Sequence, residues 1–183
     1  VRTSRDVYEA GRVVLAPGAW ACELFKLDLP LQVEPQVLYW FDPVGGPAPF
    51  AVNHFPIYIW DLGDGIQFYG FPADSRGAVK VAFFRTPNGD EVSMRRALDG
   101  RLASLAAAPL VETATCKYTL TPDHHFVIGM HPEQPNVVIA SPCSGHGFKF
   151  ASVIGEILAD LAIDGATRHP VELFSSARFG SRA

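Results

Sequence analysis

Residues 136–161 carry the strongest chemical signal in this sequence. An apolar run is followed by Ser-Gly-His-Gly and then by apolar residues at helical spacing, an order typical of strand, turn and helix. Gly145 and Gly147 would let the backbone approach a ligand closely, and the free N–H groups of a helix start favour an anion. His146 and Lys149 add a donor and a positive charge. The spacing leaves two interpretations open, an anion or cofactor site and a glycine-containing loop with a solvated lysine.

Two further reactive side chains lie on predicted strands. Lys80 stands between two valines in a strand over 77–84, where an unpaired ammonium that points into a core would cost several kcal/mol. The pattern favours the solvated face of an antiparallel sheet, with a site or a partner as the alternative. Cys116 lies in a strand over 114–120, where a buried cysteine usually acts as a small apolar filler.

Metal and triad chemistry find little support. His124, His125 and His131 match no known spacing of metal ligands and carboxylates are sparse, so no metal is expected. No G-x-S-x-G motif occurs, so a Ser-His-Asp triad is not expected either.

The elements that position these residues follow from hydrophobic periodicity and from turn residues. One helix is predicted over 91–108, a second over 150–161 and a weak one over 19–27, while Pro30 and Pro35 should interrupt regular structure. A hairpin turn is predicted at 62–65. Strands are predicted at 11–16 (fully buried), 37–41, 57–61, 67–71, 77–84, 114–120, 125–128 and 136–140. The composition is therefore α+β.

Composition limits the class of protein. The 183 residues are 48% hydrophobic and 19% charged, which is typical of a globular chain with one domain or one domain and part of another. A net charge of -4 argues against nucleic acid as a partner. The sequence contains no run of eighteen apolar residues, so no membrane span is predicted, and no secretory signal follows Val1. Three scattered cysteines indicate no disulfide framework, so a reducing, cytoplasmic setting is expected.

Three blocks of sequence, at 116–129, 131–140 and 144–150, resemble the monomeric sarcosine oxidase and N-methyltryptophan oxidase family in order and spacing. These enzymes are FAD-dependent amine oxidases of the D-amino-acid oxidase superfamily. Residues 12–20 are similar to a late strand of the family's FAD domain, and 68–72 with 79–81 are similar to its substrate domain. The resemblance runs from about residue 6 to residue 174 and covers the C-terminal half of such an enzyme.

The resemblance implies a fold and a domain division. The fold would be part of a GR2-type α/β FAD-binding domain together with a mixed or antiparallel substrate-domain sheet. Residues 1–30 would be a late strand and turn of the FAD-binding domain, 31–118 the substrate domain, and 119–183 a return to the FAD-binding domain. The GxGxxG motif that cradles the FAD pyrophosphate is absent here. An N-terminal dinucleotide-binding half, in the same or another chain, is therefore the expected partner, and self-association is the alternative.

The resemblance also implies roles for individual residues. Cys116 matches the cysteine that bonds covalently to the flavin, and Lys80 matches the lysine beside flavin N5 where oxygen is reduced. Lys80 and His146 are the expected catalytic residues, and Tyr69, Tyr118 and Lys149 the expected substrate-binding ones. The expected cofactor-binding residues are Cys116, Gly18, Ser144, Gly145, Gly147, Phe148 and Lys149.

The function implied is oxidation of secondary, N-methyl or N-alkyl amino acids to an imine and then to an aldehyde and an amine, with O2 converted to hydrogen peroxide. Phe84 stands where sarcosine oxidase has a histidine, which indicates a different or bulkier amine than sarcosine. The alternative is a non-catalytic, truncated flavin-fold fragment, or an interaction module, that needs a partner chain.

Overall fold

The computed structural model describes residues 1–25, 29–84 and 89–180. These residues divide into two compact units. One combines Val1–Val33 with Tyr118–Ala183, and the other is Glu34–Lys117. No helix in the described part of the chain is long and apolar enough to cross a membrane.

Strands and helices are mixed along the chain, which confirms the expected α+β class. The strands are β1 (Val13–Leu15), β2 (Gln32–Phe41), β3 (Tyr58–Asp61), β4 (Gln67–Ala73), β5 (Val79–Phe84), β6 (Leu110–Leu120), β7 (Val127–Met130) and β8 (Val137–Ser141). The α-helices are α1 (Ala21–Phe25), α2 (Glu91–Leu98), α3 (Ala103–Ala106) and α4 (Ala151–Ile163).

A five-stranded sheet in the order β3-β4-β5-β2-β6 forms most of the unit Glu34–Lys117. The pairs β3–β4, β4–β5 and β2–β5 are antiparallel. Val79, Val81 and Phe83 alternate along β5 and pack in one core with residues of α2 and α3, among them Met94 and Leu105. One face of the sheet is therefore covered by helices, and the side chains between these core residues lie on the other face.

The prediction of a single helix over 91–108 is wrong for the middle of this segment. It is two helices, α2 and α3, because Gly100 adopts φ +70, a conformation that ends a helix. The apolar spacing still describes the buried side, since Met94, Leu98 and Leu105 are fully buried. Asp90 begins α2 by accepting a hydrogen bond from the backbone N–H of Ser93 at 2.8 Å.

The predicted hairpin at 62–65 is confirmed between β3 and β4, where Gly63, Asp64 and Gly65 all have positive φ. The expectation that Pro35 interrupts regular structure is wrong, because β2 runs through it. Among the described residues the pairing of β2 with β5 runs over Leu38–Phe41, and Pro35 lies outside it.

A mixed three-stranded sheet in the order β1-β8-β7 forms the other unit, with β1 and β8 parallel and β7 and β8 antiparallel. The predicted helix over 150–161 is confirmed as α4. Its Ile154, Ile157 and Leu161 pack against Val138 and Ile128. The weak helix predicted over 19–27 is a 3-10 turn at Gly18–Trp20 followed by α1, and its last two residues lie outside the described part.

The prediction that 11–16 is a fully buried strand is wrong. Val14 in β1 remains 39% exposed, and Val13 and Leu15 are half-buried. The reason is its place in the sheet: β1 pairs with β8 on one side, and no described strand pairs with its other side. An edge position follows from tertiary structure, which an apolar run does not reveal.

Candidate functional site

Two turns that contain predicted site residues follow neighbouring parallel strands. Gly18 comes shortly after the end of β1, and Ser144 comes shortly after the end of β8. Because β1 and β8 are parallel, both turns leave the same edge of the sheet, where ligands of open α/β sheets usually bind. Gly18 has φ +59, and a Cβ atom there would meet no atom within 4 Å.

Buried hydrogen bonds hold the turn at Ser144 in an uncommon conformation. Ser144 is almost completely buried and has φ +46. Its backbone N–H donates to the carbonyl of Thr119 at 2.8 Å, and its hydroxyl donates to the carbonyl of His125 at 3.3 Å. The Thr121 hydroxyl donates to the same carbonyl at 2.7 Å. The turn is therefore fixed to the end of β6 and to the loop that precedes β7.

The two glycines of this turn are needed by the chain itself. A Cβ atom on Gly145, which has φ +75, would lie 2.7 Å from the ring of Tyr118. A Cβ atom on Gly147 would collide with the carbonyl oxygen of Pro142. The close approach that these glycines permit is thus an internal one, and it brings two predicted site residues, Tyr118 and Gly145, into contact.

The imidazole of His146 has a defined tautomer. Its Nδ1 lies 2.9 Å from the carbonyl oxygen of Ser144, and since a carbonyl only accepts, Nδ1 carries the proton. In the neutral form of the ring the lone pair is then on Nε2. The ring stacks on Phe126 with centroids 4.9 Å apart, which fixes its plane. Phe126 was missed by sequence reasoning because only the fold brings it to the turn.

The start of the α4 region is open to solvent. Phe148 is 95% exposed and begins a 3-10 turn, Phe148–Phe150, that leads into the helix. The neighbouring Lys149 is also exposed, and its ammonium lies 5.3 Å from the ring centre of Phe150. Within the described ranges no carboxylate forms an ion pair with Lys149.

Lys80 lies on the face of the five-stranded sheet opposite the core. Its neighbours Val79 and Val81 are fully buried on the helix side, as alternation along β5 requires. The ammonium lies 5.5 Å from the ring centre of Trp40 and 4.9 Å from that of Phe71. The side chain is half-buried, so the face is neither core nor freely solvated.

Tyr69 shares this face with Lys80. Its ring centre is 5.9 Å from that of Phe71 and 6.5 Å from that of Phe84, in edge-to-face geometry. We call Trp40, Tyr69, Phe71, Lys80 and Phe84 the aromatic face. It carries one positive charge among four aromatic rings, and it brings together two of the predicted site residues, Tyr69 and Lys80.

The three cysteines differ in exposure. Cys116 and Cys22 are exposed, whereas Cys143 is half-buried and burial raises the pKa of its thiol. The expectation that Cys116 is a buried filler is wrong. Its strand, β6, is an edge strand of the five-stranded sheet and is largely exposed up to residue 117. The thiol of Cys116 is therefore accessible for reaction.

An ion pair holds the loop that supports Ser144. The guanidinium of Arg178 binds both carboxylate oxygens of Asp123, at 2.7 and 3.1 Å, and the N–H of His125 donates to Asp123 at 3.1 Å. The contact with Arg178 holds the pKa of Asp123 well below its usual range, and the hydrogen bond from the His125 N–H adds a smaller lowering.

One group of three possible metal ligands occurs in the described part of the chain, formed by Glu156, Asp160 and His169. Both carboxylates are already engaged: Arg168 binds Glu156 at 2.6 Å and Thr167 donates to Asp160 at 2.8 Å. These contacts fasten the segment after α4 to the helix, which is a structural role.

Comparison with known proteins places the chain in a family. The sequence model of the family described as "DAO: FAD dependent oxidoreductase" matches residues 1–161. The chain is 43% identical, over 99% of its length, to a monomeric sarcosine oxidase of Streptomyces avermitilis, and covers 51% of that protein. It is 32% identical, over 98% of its length, to an N-methyl-L-tryptophan oxidase of Escherichia coli, and covers 50% of it.

The fold agrees with this assignment. The solved structure of fructosyl amine:oxygen oxidoreductase (Amadoriase I) from Aspergillus fumigatus superposes with a TM-score of 0.79 at 21% identity, over 98% of this chain and 47% of that one. The chain belongs to the DAO family of FAD-dependent oxidoreductases. It resembles the sarcosine and N-methyltryptophan oxidases within it, and it spans about half the length of the curated relatives it matches.

The internal role of Gly147 predicts a large cost for a single methyl group. Gly147→Ala should lower the free energy of unfolding by about 3 kcal/mol, since the backbone must shift to relieve the collision with Pro142. The matched control is Gly155→Ala in α4, where a Cβ atom meets nothing within 4 Å and the helix gains about 1 kcal/mol. Urea unfolding monitored by circular dichroism measures both. Equal stability of the two variants would contradict the close packing at Gly147.

The Asp123–Arg178 pair predicts an acid-side loss of stability. The folded-state pKa of Asp123 is depressed, so its contribution is complete above the unfolded pKa of about 4 and is lost as pH falls through the folded-state value. Asp123→Asn should cost about 1 kcal/mol at neutral pH, since the carboxylate is partly exposed. The unfolding curves of the two proteins should converge on acidification. The control, Asp164→Asn, keeps the Asp123–Arg178 pair, so its acid-side loss of stability should match that of the unsubstituted protein. A constant difference between Asp123→Asn and the unsubstituted protein at all pH values would rule the ion pair out as the cause.

Proposed function

We propose that this chain contributes the C-terminal portion of an FAD-dependent oxidase of secondary, N-methyl or N-alkyl amino acids. The observation that carries the proposal is Lys80, an ammonium half-buried on the aromatic face of a chain from a family of FAD-dependent oxidoreductases. Among the described residues no acidic side chain lies within ion-pair distance of it. A cation in this position is suited to stabilise negative charge that develops during a reaction.

The donor groups present fit a flavin. The turns at Gly18 and Ser144 leave one edge of the sheet, and the N–H groups at the start of the α4 region favour negative charge. Cys116 offers an exposed thiol for a covalent bond to the flavin. Gly145, Gly147, Phe148 and Lys149 would complete the protein's side of this cofactor site.

FAD, when bound, would accept the hydride equivalent from the carbon next to the amine nitrogen and pass two electrons to O2. Lys149 would bind the substrate carboxylate, while Tyr69 and Tyr118 would line the cavity around its side chain. His146 would present the Nε2 lone pair to a substrate N–H, because its Nδ1–H donates a hydrogen bond to the carbonyl oxygen of Ser144. Lys80 would stabilise the charge on oxygen as it is reduced.

The balance of this reaction is simple. The amine loses two electrons and two protons to give an imine, and O2 takes them up as hydrogen peroxide. Water then cleaves the imine to an aldehyde and an amine. Phe84 on the aromatic face favours a substrate that is bulkier and more apolar than sarcosine.

The two compact units support a division of the chain between two domains. We propose that 1–30 and 119–183 belong to the FAD-binding domain and that 31–118 form the substrate domain. The GxGxxG motif would come from an N-terminal dinucleotide-binding half in the same or another chain. Three free thiols favour a reducing compartment, and we propose a cytoplasmic location.

One observation favours a second function, that of a non-catalytic interaction module. Val14 on the edge strand β1 is 39% exposed and Phe148 is 95% exposed, and such apolar groups commonly mark a surface that a partner covers. The two functions differ in what precedes Val1 in the reading frame. A GxGxxG motif upstream favours the oxidase, whereas a start codon near Val1 favours the module.

Cys116 should anchor the flavin. The full-length protein should remain yellow after acid precipitation, and Cys116→Ala should release its flavin into the supernatant, since no other exposed thiol is expected at the ring. Cys22→Ala and Cys143→Ala serve as controls and should retain the colour. Visible absorbance of the washed pellet is the measurement, and colour retained by the Cys116 variant would refute the anchor.

Lys80 should act mainly in the oxygen half-reaction. Lys80→Met should slow flavin reoxidation by about a hundredfold, because a cation that stabilises developing charge contributes a few kcal/mol. Anaerobic reduction by the substrate should fall much less. Stopped-flow absorbance measures each half-reaction separately, and Arg101→Met, in the turn between α2 and α3, is the control. Equal losses in both half-reactions would identify Lys80 as a structural residue.

A further inference from the structure

We propose that Trp40 and Phe71 are positioning residues that hold the Lys80 ammonium in place without neutralising it. This inference rests on the role proposed above for Lys80. The ammonium lies 5.5 Å from the ring centre of Trp40 and 4.9 Å from that of Phe71, within the range in which a ring attracts a cation. Trp40 is also the residue directly opposite Lys80 in the pairing of β2 with β5.

The two rings act differently from a carboxylate. A carboxylate would fix the ammonium but would also cancel most of its charge, and the described part of the chain places none within 4 Å of Lys80. The π-faces attract the ammonium through their quadrupoles and leave its net charge intact. The result is a cation with a defined position whose charge is available to a third group.

The sheet supplies the rigidity that this arrangement needs. Trp40 and Lys80 lie on adjacent strands in fixed register, and Phe71 is on β4, the other neighbour of β5. Phe71 is itself held by Tyr69, in edge-to-face contact. The ammonium is therefore held from both neighbouring strands, and loss of either ring should free it to move.

The first test uses the purified 183-residue chain and needs no flavin. Competitive reductive methylation with formaldehyde, read by mass spectrometry, measures how accessible the Lys80 amine is. Trp40→Leu and Phe71→Leu should each raise the Lys80 labelling rate about threefold or more, as expected for a lost cation–π contact. Trp40→Phe keeps a π-face and should stay near the wild-type rate. Labelling of Lys149 in the same samples reports any general loosening and should not change.

The second test uses the flavin-loaded full-length protein. Trp40→Leu and Phe71→Leu should slow reoxidation by O2 about tenfold and change anaerobic reduction by less than about twofold. Trp40→Phe should restore most of the reoxidation rate. The matched control is Trp60→Leu, which removes a ring on β3 of the same sheet; this ring lies 5.7 Å from the guanidinium of Arg101. It should leave both half-reactions unchanged.

The outcomes separate this inference from the proposed function. If Lys80→Met slows reoxidation while both leucine variants behave as wild type, the positioning role is refuted and the oxidase function stands. Faster labelling without slower reoxidation would also refute it. If Lys80→Met leaves reoxidation unchanged, the proposed oxygen role of Lys80 fails and the positioning role fails with it.

Discussion

The alternation of β5 between core and open face is the constraint on which the candidate site depends. Val79 and Val81 are fully buried against the helices, and each such side chain contributes about 1.5–3 kcal/mol through burial. A slip of one residue would exchange the two faces and drive Lys80 into the core, where an unpaired ammonium costs several kcal/mol more. The apolar core therefore fixes the position of a charge that it never touches.

Features set by local sequence could be predicted, and features set by distant partners could not. The apolar spacing in 150–161 predicted α4 because a helix face depends only on neighbours a few residues apart. The contact of Trp40 with Lys80 depends on the register between β2 and β5, which no short segment encodes. The exposure of Cys116 likewise depends on β6 being at the end of the strand order. For the same reason an apolar run in β1 predicted burial that an edge strand does not have.

The turn after β8 shows how a glycine pattern can be correct for a different reason. The sequence pattern leaves open whether Gly145 and Gly147 make room for a ligand, and the atoms closest to their missing side chains belong to Tyr118 and Pro142. This tight turn fixes the position of the Ser144 carbonyl, and the carbonyl selects the tautomer of His146. The backbone conformation of the turn therefore determines, through one hydrogen bond, which nitrogen of His146 carries the proton, and the sequence alone does not reveal this.

The unit that holds this turn is discontinuous in the chain, and this affects how it can form. β1 finds its parallel partner β8 only after the whole of Glu34–Lys117 has been made, whereas the pairings of β3 with β4 and of β4 with β5 are local. During synthesis the central unit can therefore complete first, while the early strand waits with its apolar side chains uncovered. A slow or unstable central unit would prolong that interval, so a substitution far from β1 could lower the yield of folded protein without weakening any contact of β1.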